Sequence, residues 1–101
     1  MHVIARPAIE SAKQDHPLCA NWLDNWWRTA SRAEWKSLHD VRGDYPSADQ
    51  VSDCLVFDAP RARRLICNVH YANADRQGTL YVREFLTHAE YDRDSWKDFC
   101  C

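Results

Sequence analysis

The apolar positions of this chain change their period halfway along. In the first half they recur about every three to four residues, the spacing of one helical face. Ala8, Ile9 and Ala12 share a side of a helix expected over residues 7–16. Pro7 suits its first turn, where a missing N–H costs nothing. Pro17 interrupts the pattern, and Cys19, Trp22, Leu23, Trp26, Trp27 and Ala30 then define a stronger helix. Ser31-Arg32-Ala33-Glu34 has the capping-box pattern and predicts a third short helix through Trp35 and Leu38. Gly43, Pro46 and the polar run Ser47-Ala48-Asp49-Gln50 read as a loop.

The second half alternates, as half-buried strands do. Cys54-Leu55-Val56-Phe57 is a short apolar strand and Asp58-Ala59-Pro60-Arg61 a turn. From Arg64 to Tyr71, Leu65, Cys67, Val69 and Tyr71 fall on one face, and Arg64, Ile66, Asn68 and His70 on the other. Asn73 to Gly78 forms a hairpin loop, and Thr79 to Leu86 is the next strand. Thr87-His88-Ala89-Glu90 repeats the capping-box pattern and opens a short C-terminal helix. A further short strand is expected over residues 2–5. Helices first and a meander afterwards predict an α+β fold, with N-terminal helices packed on one face of a small twisted antiparallel sheet.

Length narrows this to one domain, residues 1–101. No apolar run is long enough to span a membrane, and no secretory signal is visible at Met1-His2-Val3-Ile4, so the expected location is the cytoplasm. The five cysteines are odd in number and show no CxxC spacing. A disulfide framework is therefore not expected. Cys54 and Cys67 read as buried small hydrophobes, and Cys100 and Cys101 as exposed. The histidines have no ligand spacing to the cysteines, so no metal and no cofactor is expected. A net charge of −2 is unusual for a nucleic-acid binder, but three arginines lie at positions 61, 63 and 64.

The chemistry gathers after the last strand. Thr87-His88-Ala89-Glu90-Tyr91-Asp92 sets an imidazole, a carboxylate and a phenol close together, with Arg83 in the strand that feeds them. Metal-free RNA cleavage needs a base for the 2′-OH, an acid for the leaving oxygen and fixed cations for the phosphate. An imidazole ordinarily changes charge near neutrality, so His88 is a proton-transfer candidate, or a helix-start residue bonded to backbone. Tyr91, one turn on, could act as base or acid, stack on a nucleobase, or pack on the sheet. Glu90 closes the cap. Arg64 and Arg83 would form a cationic floor if the hairpin register brings them to one face; otherwise they pair with carboxylates at the sheet rim. Arg61, Arg63 and Arg93 are candidates to touch RNA backbone. No GxSxG and no glycine-rich phosphate loop occurs.

These residues resemble the HigB-type toxins of bacterial toxin–antitoxin systems, in the RelE-like superfamily. Met1-His2-Val3-Ile4, Leu55-Val56-Phe57-Asp58, Arg64-Leu65-Ile66, Tyr81-Val82-Arg83-Glu84-Phe85 and Thr87-His88-Ala89-Glu90-Tyr91-Asp92 carry the resemblance. It implies helices on a twisted antiparallel sheet and an endoribonuclease acting on mRNA in the ribosomal A site. It also implies inhibition by a helix-turn-helix, HigA-like antitoxin, with promoter DNA bound through the complex. By carry-over, Arg64 and Arg83 would grip the phosphate, and His88 and Tyr91 would supply proton transfer or stacking. The chain departs from the family at Phe57-Asp58-Ala59-Pro60-Arg61, where Phe-Asn and a glycine pair are common, and its acidic balance is atypical. Two rival readings follow: a non-catalytic module binding a protein such as gyrase, and a degenerate toxin that only binds its antitoxin. The tryptophan-rich helix is a candidate for both core and antitoxin docking.

Overall fold

The structure, a computed structural model, describes residues 1–4 and 6–100. Ala5, expected to end the first strand, and Cys101, expected to be exposed, lie outside them. Strand β1 is His2–Ile4 and helix α1 is Arg6–Asp15, followed by a 3-10 turn, Pro17–Cys19. Helix α2 is Ala20–Arg32 and α3 Leu38–Asp44. Strands β2 (Asp49–Val51), β3 (Cys54–Ala59), β4 (Arg63–His70) and β5 (Thr79–Leu86) complete the sheet. Helix α4 is His88–Asp92, and further 3-10 segments run Pro60–Ala62 and Ser95–Phe99.

The strand order is β1-β5-β4-β3-β2. Strands β3 to β5 form the expected antiparallel meander, β2 extends it at one edge, and β1 joins the other edge parallel to β5. The fold is α+β, with helices packed on a five-stranded sheet. Two local expectations change. Ser31 and Arg32 lie in the last turn of α2 rather than capping a new helix. Ser37 caps α3 instead, its hydroxyl accepting from the backbone N–H of Asp40. The polar run before β3 is not all loop: Asp49 and Gln50 belong to β2, paired with Val56 and Leu55.

The alternation read from β4 is realised. Leu65, Cys67 and Val69 join Leu23, Trp26, Leu55, Phe57 and Leu80 in the core under the helices. Ile66 faces the other way, with Cys54, Val56, Leu86, Trp96 and Cys100 in a second, smaller cluster. This explains why Cys54 to Phe57 is apolar without alternation: both faces of β3 are covered. Gly78 is needed for close approach, because a Cβ there would lie 2.7 Å from the backbone nitrogen of Ala72.

The cysteine expectation is corrected. Cys54 and Cys100 form a disulfide spanning 46 positions. In the loop-entropy account such a bridge stabilises the fold by roughly 4 kcal/mol. Cys100 is buried rather than exposed. Counting cysteines did not reveal the pair because what joins them is tertiary: residues 95–100 fold back over the second sheet face. Cys19 and Cys67 are buried free thiols.

Candidate functional site

The second sheet face carries the chemistry. Register across β4 and β5 pairs Arg64 with Leu86, Ile66 with Glu84, and Cys67 with Val82. Arg83 is therefore an extra residue, a β-bulge between Ile66 and Cys67. Without the bulge, Arg83 and Leu86 would fall on opposite faces, since side chains alternate. With it, Arg83 turns to the face of Arg64 and Asn68, where its Nε donates to Asn68 Oδ1. The register condition for two arginines on one face is thus met by an inserted residue.

Each arginine is held by a partner. Arg64 Nε lies 2.9 Å from Asp58 Oδ1, its cross-strand neighbour. Its guanidinium sits 5.5 Å from the centroid of the Tyr91 ring. Arg83 sits 5.7 Å from the centroid of the Phe99 ring. Tyr91 also stacks on Trp96, centroids 5.0 Å apart and planes 15° from parallel. The Tyr91 ring is thus engaged by both Trp96 and the Arg64 guanidinium.

Helix α4 aims this end of the site. Thr87 Oγ1 accepts from the N–H of Glu90 at 3.2 Å, and Glu90 Oε1 accepts from the N–H of Thr87 at 2.9 Å. The capping box is formed as its pattern predicts. These bonds to Thr87 hold the Glu90 carboxyl below its ordinary value of 4.5. A depressed carboxyl contributes stability above its unfolded value and loses it as pH falls through the folded one. Thr87→Ala is expected to cost about 1 kcal/mol at neutral pH. In urea titrations only the part of that deficit carried by the Glu90 carboxylate should fade below pH 4.5, since the bond from the Glu90 N–H to the Thr87 hydroxyl does not titrate; a pH-independent deficit would remove the carboxylate from the explanation.

His88 does not meet Tyr91. Its Nε2 lies 3.1 Å from Asp92 Oδ2, on an exposed surface, while Tyr91 turns in toward the sheet. The helix is only five residues long, and His88 pairs at i+4 while Tyr91 packs. Arg61 is exposed in the 3-10 turn Pro60–Ala62. Arg61 and Ala62 have φ of 61° and 60°, left-handed values that relax in glycine. Arg63 Nε donates to His16 Nδ1 at 3.1 Å, and its Nη1 to Arg61 O at 2.8 Å. Arg93 is exposed at the end of α4.

Three residues escaped the sequence. Asp58 neutralises Arg64, Asn68 anchors Arg83, and His16 orients Arg63 and shares a cleft of about 210 Å³ with Arg83, Glu84 and Phe85. A signal existed for Asn68, which shares its strand face with Arg64. None existed for His16, 47 positions from Arg63. Among the described residues no cluster of three or more His, Cys, Asp or Glu could hold a metal, and no helix is long and apolar enough to cross a membrane.

The model of the HigB toxin family, the RelE-like toxic component of a toxin–antitoxin system, matches residues 19–94. The chain belongs to this family. The match covers α2 through α4, and with them Arg64, Arg83, His88 and Tyr91. It stops before the segment that carries Trp96, Phe99 and Cys100. No curated protein matches the chain. As a RelE-like toxin of a toxin–antitoxin system, it has an antitoxin for its partner.

Proposed function

We propose that this RelE-like toxin is an endoribonuclease that cleaves mRNA, on the translating ribosome, by attack of a 2′-OH on the adjacent phosphate. The observation that carries this reading is the β-bulge at Arg83, which sets two arginines on one sheet face beside Tyr91. Arg83 has its Nε engaged and its two terminal nitrogens without a protein partner among the described residues. That leaves a planar pair of donors for a non-bridging phosphate oxygen pair. Arg64 adds charge from the Tyr91 side. The Tyr91 hydroxyl and the His88 imidazole, oriented by Asp92, supply proton transfer. Arg61, Arg63 and Arg93 would touch neighbouring phosphates.

Displacement of the 5′-oxygen by the 2′-oxygen leaves a 2′,3′-cyclic phosphate on one fragment and a 5′-OH on the other. No metal takes part, so cleavage should persist in EDTA. End-group analysis of RNA cut by the purified toxin tests the mechanism; 3′-OH and 5′-phosphate ends would exclude it. Action on mRNA sets the place of action in the cytoplasm. The antitoxin would be a helix-turn-helix, HigA-like protein, and promoter DNA would be reached only through the complex.

One observation favours the rival reading of a toxin that binds without cutting. Asp58 already occupies Arg64, where the family commonly has Asn. The pair is partly exposed, 24% and 45%, so solvent screens it and its grip is modest. Asp58→Asn is therefore expected to tighten single-stranded RNA binding by about threefold to tenfold, read by fluorescence anisotropy. Unchanged binding would mean that Arg64 does not meet phosphate.

A further inference from the structure

Residues 95–100 lie beyond the stretch that the family model matches, and they cover the sheet face on which Arg83 sits. We propose that this segment is a disulfide-latched strap, and that it fixes Asn68 as the positioning residue for Arg83. Its consequence for RNA rests on the reading of Arg83 as a phosphate-binding residue; its geometry does not.

The strap is a five-residue 3-10 segment, too short to be stable alone. It is held from both ends. Trp96 stacks on Tyr91 and donates its indole N–H to Tyr91 O at 2.9 Å. Cys100 is bonded to Cys54, and its carbonyl accepts from the N–H of Asp53 at 2.8 Å. Between these ends lie Asn68 and Arg83.

Asn68 is the one buried polar side chain among the described residues. Its Nδ2 donates to Phe99 O at 2.9 Å, and its Oδ1 accepts from Arg83 Nε. A carbonyl only accepts and a guanidinium only donates, so the amide fits one way round. The Phe99 carbonyl thereby dictates that an acceptor faces Arg83, and the Phe99 ring flanks the guanidinium. With the strap in place, Arg83 presents its terminal nitrogens in a fixed direction. Without it, Asn68 loses its anchor and Arg83 returns to many rotamers.

The latch opens by thiol–disulfide exchange with a dithiol reductant. A thiolate of the reductant attacks one sulfur of the Cys54–Cys100 bond and displaces the other as a thiolate. The second thiol of the reductant then breaks the mixed disulfide. Two electrons and two protons pass to the chain, giving two cysteine thiols, and the reductant leaves as its own disulfide. Cys67 takes no part, since complete burial pushes its thiol far above the ordinary range. In a reducing compartment a bond of this kind is transient and redox-sensing. The disulfide form is then the armed one and the dithiol form the slack one.

The test follows the Arg83 Nε–H signal by 1H–15N NMR on the full chain, before and after dithiothreitol, with single-stranded RNA binding measured on the same samples. The bonded Nε–H should exchange slowly in the oxidised chain and rapidly after reduction, and in Cys54→Ala. The Arg64 Nε–H, held by Asp58, should persist and reports that the sheet is intact. Asn68→Leu should remove the Arg83 signal in both redox states. RNA affinity should fall about tenfold on reduction, the scale of one charge-assisted hydrogen bond, and should not fall further in Arg83→Ala. A slow Arg83 signal that survives reduction overturns the strap. A signal that responds while no form binds RNA upholds the strap and discards the nuclease reading.

Discussion

Arg83→Ala is expected to lower RNA cleavage by about 10²–10³-fold, the usual cost of deleting one fixed donor at a developing charge. The size of the effect follows from how Arg83 is held. Its Nε is already bonded to Asn68, and its ring neighbour is Phe99, so little ordering remains when a phosphate arrives. Arg64 shares its charge with Asp58 and the carbonyl of Arg63, and its removal should cost less. Lysine should rescue Arg83 poorly, because an ammonium cannot bond Asn68 and two phosphate oxygens in one plane. Single-turnover cleavage of a short RNA separates these cases, and far-UV circular dichroism checks that each variant folds. Full activity in Arg83→Ala would move the chemistry away from the bulge and leave Arg83 as a partner for Asn68 and Phe99 alone.

The sheet was legible for a physical reason. Half-buried strands carry a period of two, and Arg64 to Tyr71 writes it plainly, so the faces of β4 follow from the sequence alone. The α4 cap was legible for a similar reason, because a capping box is local and its two members lie three positions apart. Ser31 to Glu34 has the same pattern and caps nothing. The preceding turns of α2 bury Trp26 and Ala30, and tertiary packing carries that helix through Ser31 to Arg32. The bulge at Arg83 could not be read, since an extra residue in a strand leaves no mark in composition. Alternation sets the arginines on one face only if the register allows it, and the bulge supplies that condition. Residues 95–100 were the least legible. Trp96 meets Tyr91 nearby, but the bond from Cys100 to Cys54 and the cluster with Val56 and Ile66 are distant in sequence, so nothing local announces a cover over the sheet.

Trp26→Ala should be the most damaging change to stability, at about 3–5 kcal/mol. Trp26 is fully buried and meets Phe57 edge-on, ring centroids 5.5 Å apart. It joins α2 to β3, and alanine would leave a cavity that neither element can close. That loss is about a fifth or more of the roughly 5–15 kcal/mol that holds a typical domain together. Trp26→Phe should cost far less. The indole N–H has no hydrogen-bond partner among the described residues, so the native residue already carries the desolvation cost of an unpaired donor, about 1–3 kcal/mol. Phenylalanine removes that donor and keeps most of the ring. Chemical denaturation of both variants gives the comparison, and equal losses would mean that the N–H is satisfied in solution. Trp26 lies on the helix side of the sheet, whereas Arg64 and Arg83 face the other side. Per folded molecule, RNA cleavage by Trp26→Ala should therefore match the parent chain. A drop beyond the folded fraction would show that helix packing reaches through the sheet to the arginines.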